Sequence, residues 1–230
     1  MSASAPATNP RRFDASDKLL LALSLVCGVA YLFTRYLEPY PGSVVVKVLS
    51  VLPLALLASH SLRSRDGVIL CASLLFSSLG DMFLALDANK LFVFGLGSFL
   101  IAHLLYVALF VRNWPKPLTA SAAQKLLVAL LILNSAAMFV WLRPSLGSLA
   151  APVAAYLVAI TAMGVAATLA SLRTRWVVVG ALLFILSDSL IAVDKFKTPV
   201  EQREYLVWST YYAAQLLIAA GFLREKMRIE

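Results

Sequence analysis

Runs of apolar residues follow one another along the chain, each interrupted after about 20 residues by a short polar break, the length an α-helix needs to cross a bilayer core. They occupy 19–36, 43–60, 67–86, 91–111, 122–142, 149–171, 175–193 and 204–223. The pattern predicts an all-α polytopic membrane protein with eight transmembrane helices, a single domain over 19–223 flanked by polar tails at 1–18 and 224–230. The breaks carry Pro or Gly, as in Glu38-Pro39-Tyr40-Pro41-Gly42, Trp114-Pro115-Lys116-Pro117 and Arg143-Pro144. They leave no room for an extramembrane domain, so any activity must be built from helices and loop rims.

Two of these runs contain carboxylates where none is expected. LFSSLGDMFLALD ends at Asp87 and LLFILSDSLIAVD ends at Asp194, with Asp81 and Asp188 deeper inside. A carboxylate near the middle of a bilayer helix costs about 2.5–3.5 kcal/mol on insertion scales, whereas an interhelical hydrogen bond returns only about 0.6 kcal/mol on average. Function is the better explanation of Asp81 and Asp188. An offset of 107 residues lays Asp81 on Asp188, Asp87 on Asp194, Ala85 on Ala192 and Gly80 on Ser187. Four spans in each half suggest two parallel four-helix repeats with a site between equivalent helices.

Composition agrees with a membrane setting: 61% of residues are hydrophobic, 14% are charged, and the mean hydropathy is +0.84, too apolar for a soluble domain. The net charge of +8 is spread over short loops rather than gathered with aromatics, which argues against nucleic acid and for contact with anionic lipid. Leaving out Lys47, the face bearing the termini carries thirteen Lys and Arg and the opposite face six. By the positive-inside rule both termini are cytoplasmic. The first span reads as a retained anchor rather than a signal peptide. Cys27 and Cys71 fall inside helices, and His60 and His103 do not form a ligand pair on one helix, so neither disulfides nor a metal are expected.

Other polar residues at membrane depth are candidates beside the two aspartates. Lys47, one turn into the second helix, either pairs with Asp81 or Asp188 or snorkels to the rim. Ser77 and Ser78 share the face of Asp81 and are placed to hydrogen-bond it. His103 with Tyr106 in the fourth span, and Tyr156 in the sixth, are either binding groups or satisfied structural donors. Trp208, Tyr211, Tyr212 and Gln215 form a stripe on the eighth helix that suits helix packing or, at Gln215, a deeper polar contact. Asp87, Lys90 and Asp194 lie near the rim opposite the termini and are either helix-end residues or contacts for a polar head group.

Lys47 with VLSVLP after it, FSSLGDMFLALD, AHLLYVALF, PVAAYL, LLFILSDSLIAVDKF and TYYAAQLLI together resemble the YhhN-like lysoplasmalogenase family, over about Lys47 to Phe222. The resemblance implies an eight-helix enzyme that hydrolyses the vinyl ether of a lysoplasmalogen to a fatty aldehyde and glycerophosphoethanolamine or glycerophosphocholine. It also implies, for animal members, the endoplasmic reticulum.

The residues suit that chemistry. Vinyl ether hydrolysis protonates the β-carbon, giving an oxocarbenium-like cation that water attacks; glycoside hydrolysis meets a similar cation with a carboxylic acid and a carboxylate. Asp81 and Asp188 are the expected pair, in an order the residues leave open, with Lys47 as counter-charge to one of them. His103, Tyr106, Tyr211, Tyr212 and Gln215 are expected to orient substrate and water. No cofactor is called for. The expected partners are the lysolipid, membrane lipids and, compatibly, a second copy of the chain. A proton-coupled transporter or lipid scramblase uses similar intramembrane groups, and a non-catalytic lipid-binding subunit is a third reading.

Overall fold

The computed structural model describes residues 13–37, 40–87 and 90–227. The tail 1–12 with Arg11 and Arg12, the loop residues Glu38 and Pro39, and Arg228 lie outside the described residues. Among the described residues, eight helices are long and apolar enough to cross a membrane: α1 Ala15–Thr34, α2 Ser43–Ser61, α3 Arg65–Leu86, α4 Phe92–Val111, α5 Ala122–Leu142, α6 Ala150–Leu169, α7 Trp176–Phe196 and α8 Arg203–Lys226. Among the described residues there is no strand.

Helix ends follow local capping chemistry more than apolar content. α1 begins at Ala15, earlier than its apolar run, because Asp14 and Asp17 cap one another: Asp17 N donates to Asp14 Oδ1 at 2.9 Å and Asp14 N to Asp17 Oδ2 at 3.1 Å. Residues 15–18, expected in the polar tail, are therefore helical. Ser121 and Gln124 form the same reciprocal arrangement on α5. Gly42 starts α2 at φ +88°, a left-handed conformation that glycine adopts without a Cβ clash. At the other end of the chain, α8 runs past its apolar stretch to Lys226.

The helices pack as a ring. α2 lies on α3, α3 on α4, α4 on α6, α6 on α7, α7 on α8, and α8 closes back on α2. α1 packs outside the ring against α2 and α8, and α5 outside it against α6. These outer helices present apolar side chains away from the protein, among them Val26, Phe33, Leu126, Leu133 and Val140. Such faces suit lipid. Inside the ring, Tyr106, Phe110, Phe184, Phe222 and several leucines are fully buried.

The ends of the ring differ. At the end that carries the chain termini, Asp66 accepts hydrogen bonds from Arg112 Nε at 2.7 Å and Asn113 Nδ2 at 3.4 Å and pairs with Lys226 Nζ at 2.8 Å, tying α3 to α4 and α8. Ser171 N donates to Asn113 O at 2.8 Å and adds the segment after α6. At the opposite end the ring opens into a cavity.

Candidate active site

The cavity is a polar chamber of about 550 Å³ between α1, α2, α3, α4, α7 and α8, at the end opposite the termini. Asp81 and Asp188 both line it, so the two helices that the 107-residue offset relates do bring their carboxylates into one space. A second, apolar cavity between α3, α4, α5, α6 and α7 is lined by Leu96, Leu131, Met138, Leu157 and Ile160 among others. Leu84, Phe92, Phe99, Asp188 and Ile191 line both. Asp188 therefore stands where groove and chamber meet, whereas Asp81 lines only the chamber.

Each carboxylate is held by partners from two other helices. Lys47 Nζ lies 3.6 Å from Asp81 Oδ1, and Tyr211 Oη donates to Asp81 Oδ2 at 2.5 Å. Asp81 is 2% exposed, so both contacts form in a dry setting where an uncompensated charge would be expensive. Lys47 does not snorkel to the rim: its ammonium sits 5.9 Å from the Tyr31 ring and 6.0 Å from the Trp208 ring, a cation–π setting. Asp188 Oδ2 accepts a short hydrogen bond from Tyr156 Oη. His103 Nε2 lies 3.3 Å from the same oxygen and 2.9 Å from Tyr156 Oη, and its Nδ1 is 3.4 Å from Met163 Sδ.

An aromatic wall of Phe99 and Phe184 packs between partners of the two carboxylates. The Phe184 ring centroid is 4.7 Å from that of His103 and 5.3 Å from that of Tyr211, and Phe99 lies 5.7 Å from Tyr211. Gly80 makes this possible beside Asp81. A Cβ at Gly80 would come within 2.6 Å of the Phe99 ring, so any larger residue there displaces the wall. Its counterpart Ser187 donates from Oγ to Val207 O at 3.2 Å.

The remaining sequence candidates divide. Tyr106 and Gln215 are fully buried and bonded to each other, Tyr106 Oη donating to Gln215 Oε1 at 2.7 Å. Neither lines the chamber; they back the Tyr211 side of it. Tyr212 faces α1 instead of the site, sharing a hydrogen bond with Ser24 Oγ at 3.0 Å and stacking on Trp208. One residue of helical rotation, about 100°, separates it from Tyr211. The expected bond from Ser77 or Ser78 to Asp81 does not form among the described residues. Ser77 Oγ donates to Ser73 O at 3.0 Å, the i−4 carbonyl its own helix offers, and Ser78 is simply buried. Asp87 pairs with Lys90 at 3.6 Å outside the chamber, whereas Asp194 lines the chamber and pairs with Arg203 at 3.1 Å.

Sequence reasoning passed over the chamber rim. Arg35, Lys195, Arg203 and Glu204 line it, with Arg35 Nε 3.5 Å from Glu204 Oε2. Charged residues at helix ends are ordinary, so only their convergence marks them. It also passed over a cluster at the other end, where the fully buried Asp17 Oδ1 meets His60 Nδ1 at 2.8 Å and accepts from Ser61 Oγ at 2.9 Å. The second oxygen of Asp17 is used by the α1 cap, so this cluster fastens α1 to α2.

The sequence has recognisable relatives. The model of the YhhN family matches residues 42–222. A protein of Mycobacterium bovis named lysoplasmalogenase is 38% identical over 181 residues, covering 76% of this chain and 67% of that one. Lysoplasmalogenases of Bos taurus and Sus scrofa are 34% identical over 186 residues and 33% identical over 218, covering 77% and 90% of this chain and 72% and 89% of theirs. No solved structure matches the chain. The matched stretch contains Lys47, Asp81, His103, Tyr156, Asp188 and Tyr211, every residue of the two carboxylate assemblies, and on this evidence the chain belongs to the YhhN family.

Proposed function

We propose that the protein is a lysoplasmalogenase, hydrolysing the alkenyl ether of a lysoplasmalogen by acid–base catalysis between Asp188 and Asp81. One observation carries the proposal: two carboxylates share a polar chamber, and one of them also borders an apolar groove. A lysolipid divides in the same way. The first few carbons of its single hydrocarbon chain suit the groove, which has a volume of about 70 Å³, its glycerophosphoryl head suits the chamber, and its vinyl ether falls at the junction beside Asp188.

That placement assigns the roles. Asp188 is next to the chain and gives its proton to the β-carbon of the double bond, leaving an oxocarbenium cation at the carbon bonded to oxygen. Asp81, ion-paired with Lys47 on the chamber wall, takes a proton from water as the water adds to that carbon. The hemiacetal then collapses. Its hydroxyl proton returns to Asp188, Asp81 protonates the departing glycerol oxygen, and both groups regain their starting states. Tyr156 and His103 hold Asp188 in place, and Tyr211 holds Asp81, which fixes the acid and base along the one chamber that both line.

The excess of Lys and Arg on the face of the termini orients the molecule with that face in the cytoplasm, so the chamber opens away from it. In an endoplasmic reticulum membrane the head-group product leaves on the lumenal side, while the aldehyde remains with the bilayer.

Purified protein in detergent separates enzyme from carrier. With a 1-alkenyl lysophospholipid it should release fatty aldehyde and the glycerophosphoryl head group in a one-to-one ratio without any sealed compartment. In D₂O the aldehyde should carry one deuterium on carbon 2. No aldehyde from folded protein would leave the transporter reading standing.

A further inference from the structure

Among the described residues, four cations line the chamber: Arg35, Lys47, Lys195 and Arg203. Three are matched by carboxylates, Lys47 with Asp81 at 3.6 Å, Arg35 with Glu204 at 3.5 Å and Arg203 with Asp194 at 3.1 Å. Lys195 has no ion pair among the described residues, and its ammonium lies 4.1 Å from the centroid of the Phe92 ring. Phe92 borders both groove and chamber, so the Lys195 ammonium, on an exposed residue, lies beside the junction.

We infer that Lys195 is the phosphate ligand of the site, the residue that selects a phosphodiester-bearing lysolipid over the same alkenyl glycerol without phosphate. The inference rests on the lysoplasmalogenase reading and adds to it the group that distinguishes substrates. Helix geometry supplies the spacing. Lys195 follows Asp188 by seven residues on α7, a rise of about 10.5 Å and a rotation within about 20° of two full turns, so both occupy one face. In an extended glycerol ether the phosphorus lies about 6 Å beyond the ether oxygen, given ordinary bond lengths. A charge-assisted contact places an ammonium nitrogen about 4 Å beyond phosphorus. Together these span the interval between the two side chains. Asp188 thus meets the vinyl ether while Lys195 meets the phosphate, and the chain leaves through the groove on the side of Asp188 away from Lys195.

Arg203 and Arg35 cannot substitute without giving up their carboxylates, which makes Lys195 the residue whose loss is read most cleanly. Aldehyde release is measured for wild type, Lys195→Ala and Lys195→Arg on two substrates, 1-alkenyl-glycerophosphoethanolamine and 1-alkenylglycerol. Lys195→Ala should raise KM for the phosphate-bearing substrate about tenfold, the size of one lost charge-assisted contact, with kcat nearly unchanged and KM for 1-alkenylglycerol unaltered. Lys195→Arg should restore most of the discrimination. An unchanged KM in Lys195→Ala, equal effects on both substrates, or a change confined to kcat would overturn the inference. If wild type released no aldehyde from either substrate, the enzyme reading would fall by itself. Binding of the inert analogues 1-O-alkyl-glycerophosphoethanolamine and 1-O-alkylglycerol would still decide Lys195: wild type must hold the first about tenfold more tightly than Lys195→Ala does, and the second equally.

Discussion

The Asp81 and Asp188 assemblies are wired alike and furnished differently. Asp81 on α3 receives Lys47 from α2 and Tyr211 from α8; Asp188 on α7 receives Tyr156 from α6 and His103 from α4. An offset of half the chain carries α2 to α6, α3 to α7 and α4 to α8, so each carboxylate draws on corresponding helices, as a parallel repeat would arrange. The chemistry does not repeat. Each aspartate takes a tyrosine from the second half of the chain, and Asp81 adds the Lys47 ammonium, in the chamber. Asp188 adds the His103 imidazole, from the first half, at the mouth of an apolar groove. A single scaffold used twice can supply two unlike carboxylates, which is what acid and base roles require.

Substitutions can break or sharpen this contrast. The largest effect belongs to the carboxylates: Asp188→Asn should lower aldehyde release at least about a thousandfold and Asp81→Asn about a hundredfold, within the range for general acid–base groups, with both proteins still folded in detergent. Next is Lys47→Met, which leaves Asp81 with Tyr211 alone. Breaking a buried pair from one side costs about 3–5 kcal/mol, so thermal unfolding in detergent should shift down markedly and turnover should fall with it. Tyr156→Phe keeps the ring and removes the hydroxyl that bonds Asp188 and His103, and should lower turnover about tenfold with a smaller loss of stability than Lys47→Met. Gly80→Ala pushes on Phe99 and should cost about 1–3 kcal/mol by overpacking, with a smaller loss of activity. Tyr212→Phe removes only the Ser24 contact, and should leave turnover unchanged and stability within about 1 kcal/mol.

The helices were legible because a bilayer imposes a length, and a run of about 20 apolar residues has few other uses. The start of α1 was not, since Asp14 and Asp17 look like a polar tail until their mutual capping is seen. Asp81, Asp188 and Lys47 were legible for the opposite reason: charge inside an apolar run is expensive enough to demand a cause. The choice between Tyr211 and Tyr212 was not, because it depends on which neighbour each face of α8 meets. Arg35, Lys195, Arg203 and Glu204 stayed hidden for a related reason. At helix ends water removes the cost of charge, and only the shared chamber distinguishes them from any rim residue.

The division of labour has one direct test. Lysoplasmalogen is incubated in D₂O with each aspartate variant, and the unreacted lipid is recovered and examined for deuterium on the β-carbon of its double bond. On the proposed roles Asp81→Asn keeps its proton donor but lacks the group that activates water, so its cation should partly return to substrate and, where the Cα–Cβ bond has rotated before Asp188 takes a proton back, leave deuterium there. Asp188→Asn should return the lipid unlabelled. Label appearing with Asp188→Asn and not with Asp81→Asn would contradict the assignment of Asp188 as the acid and Asp81 as the base.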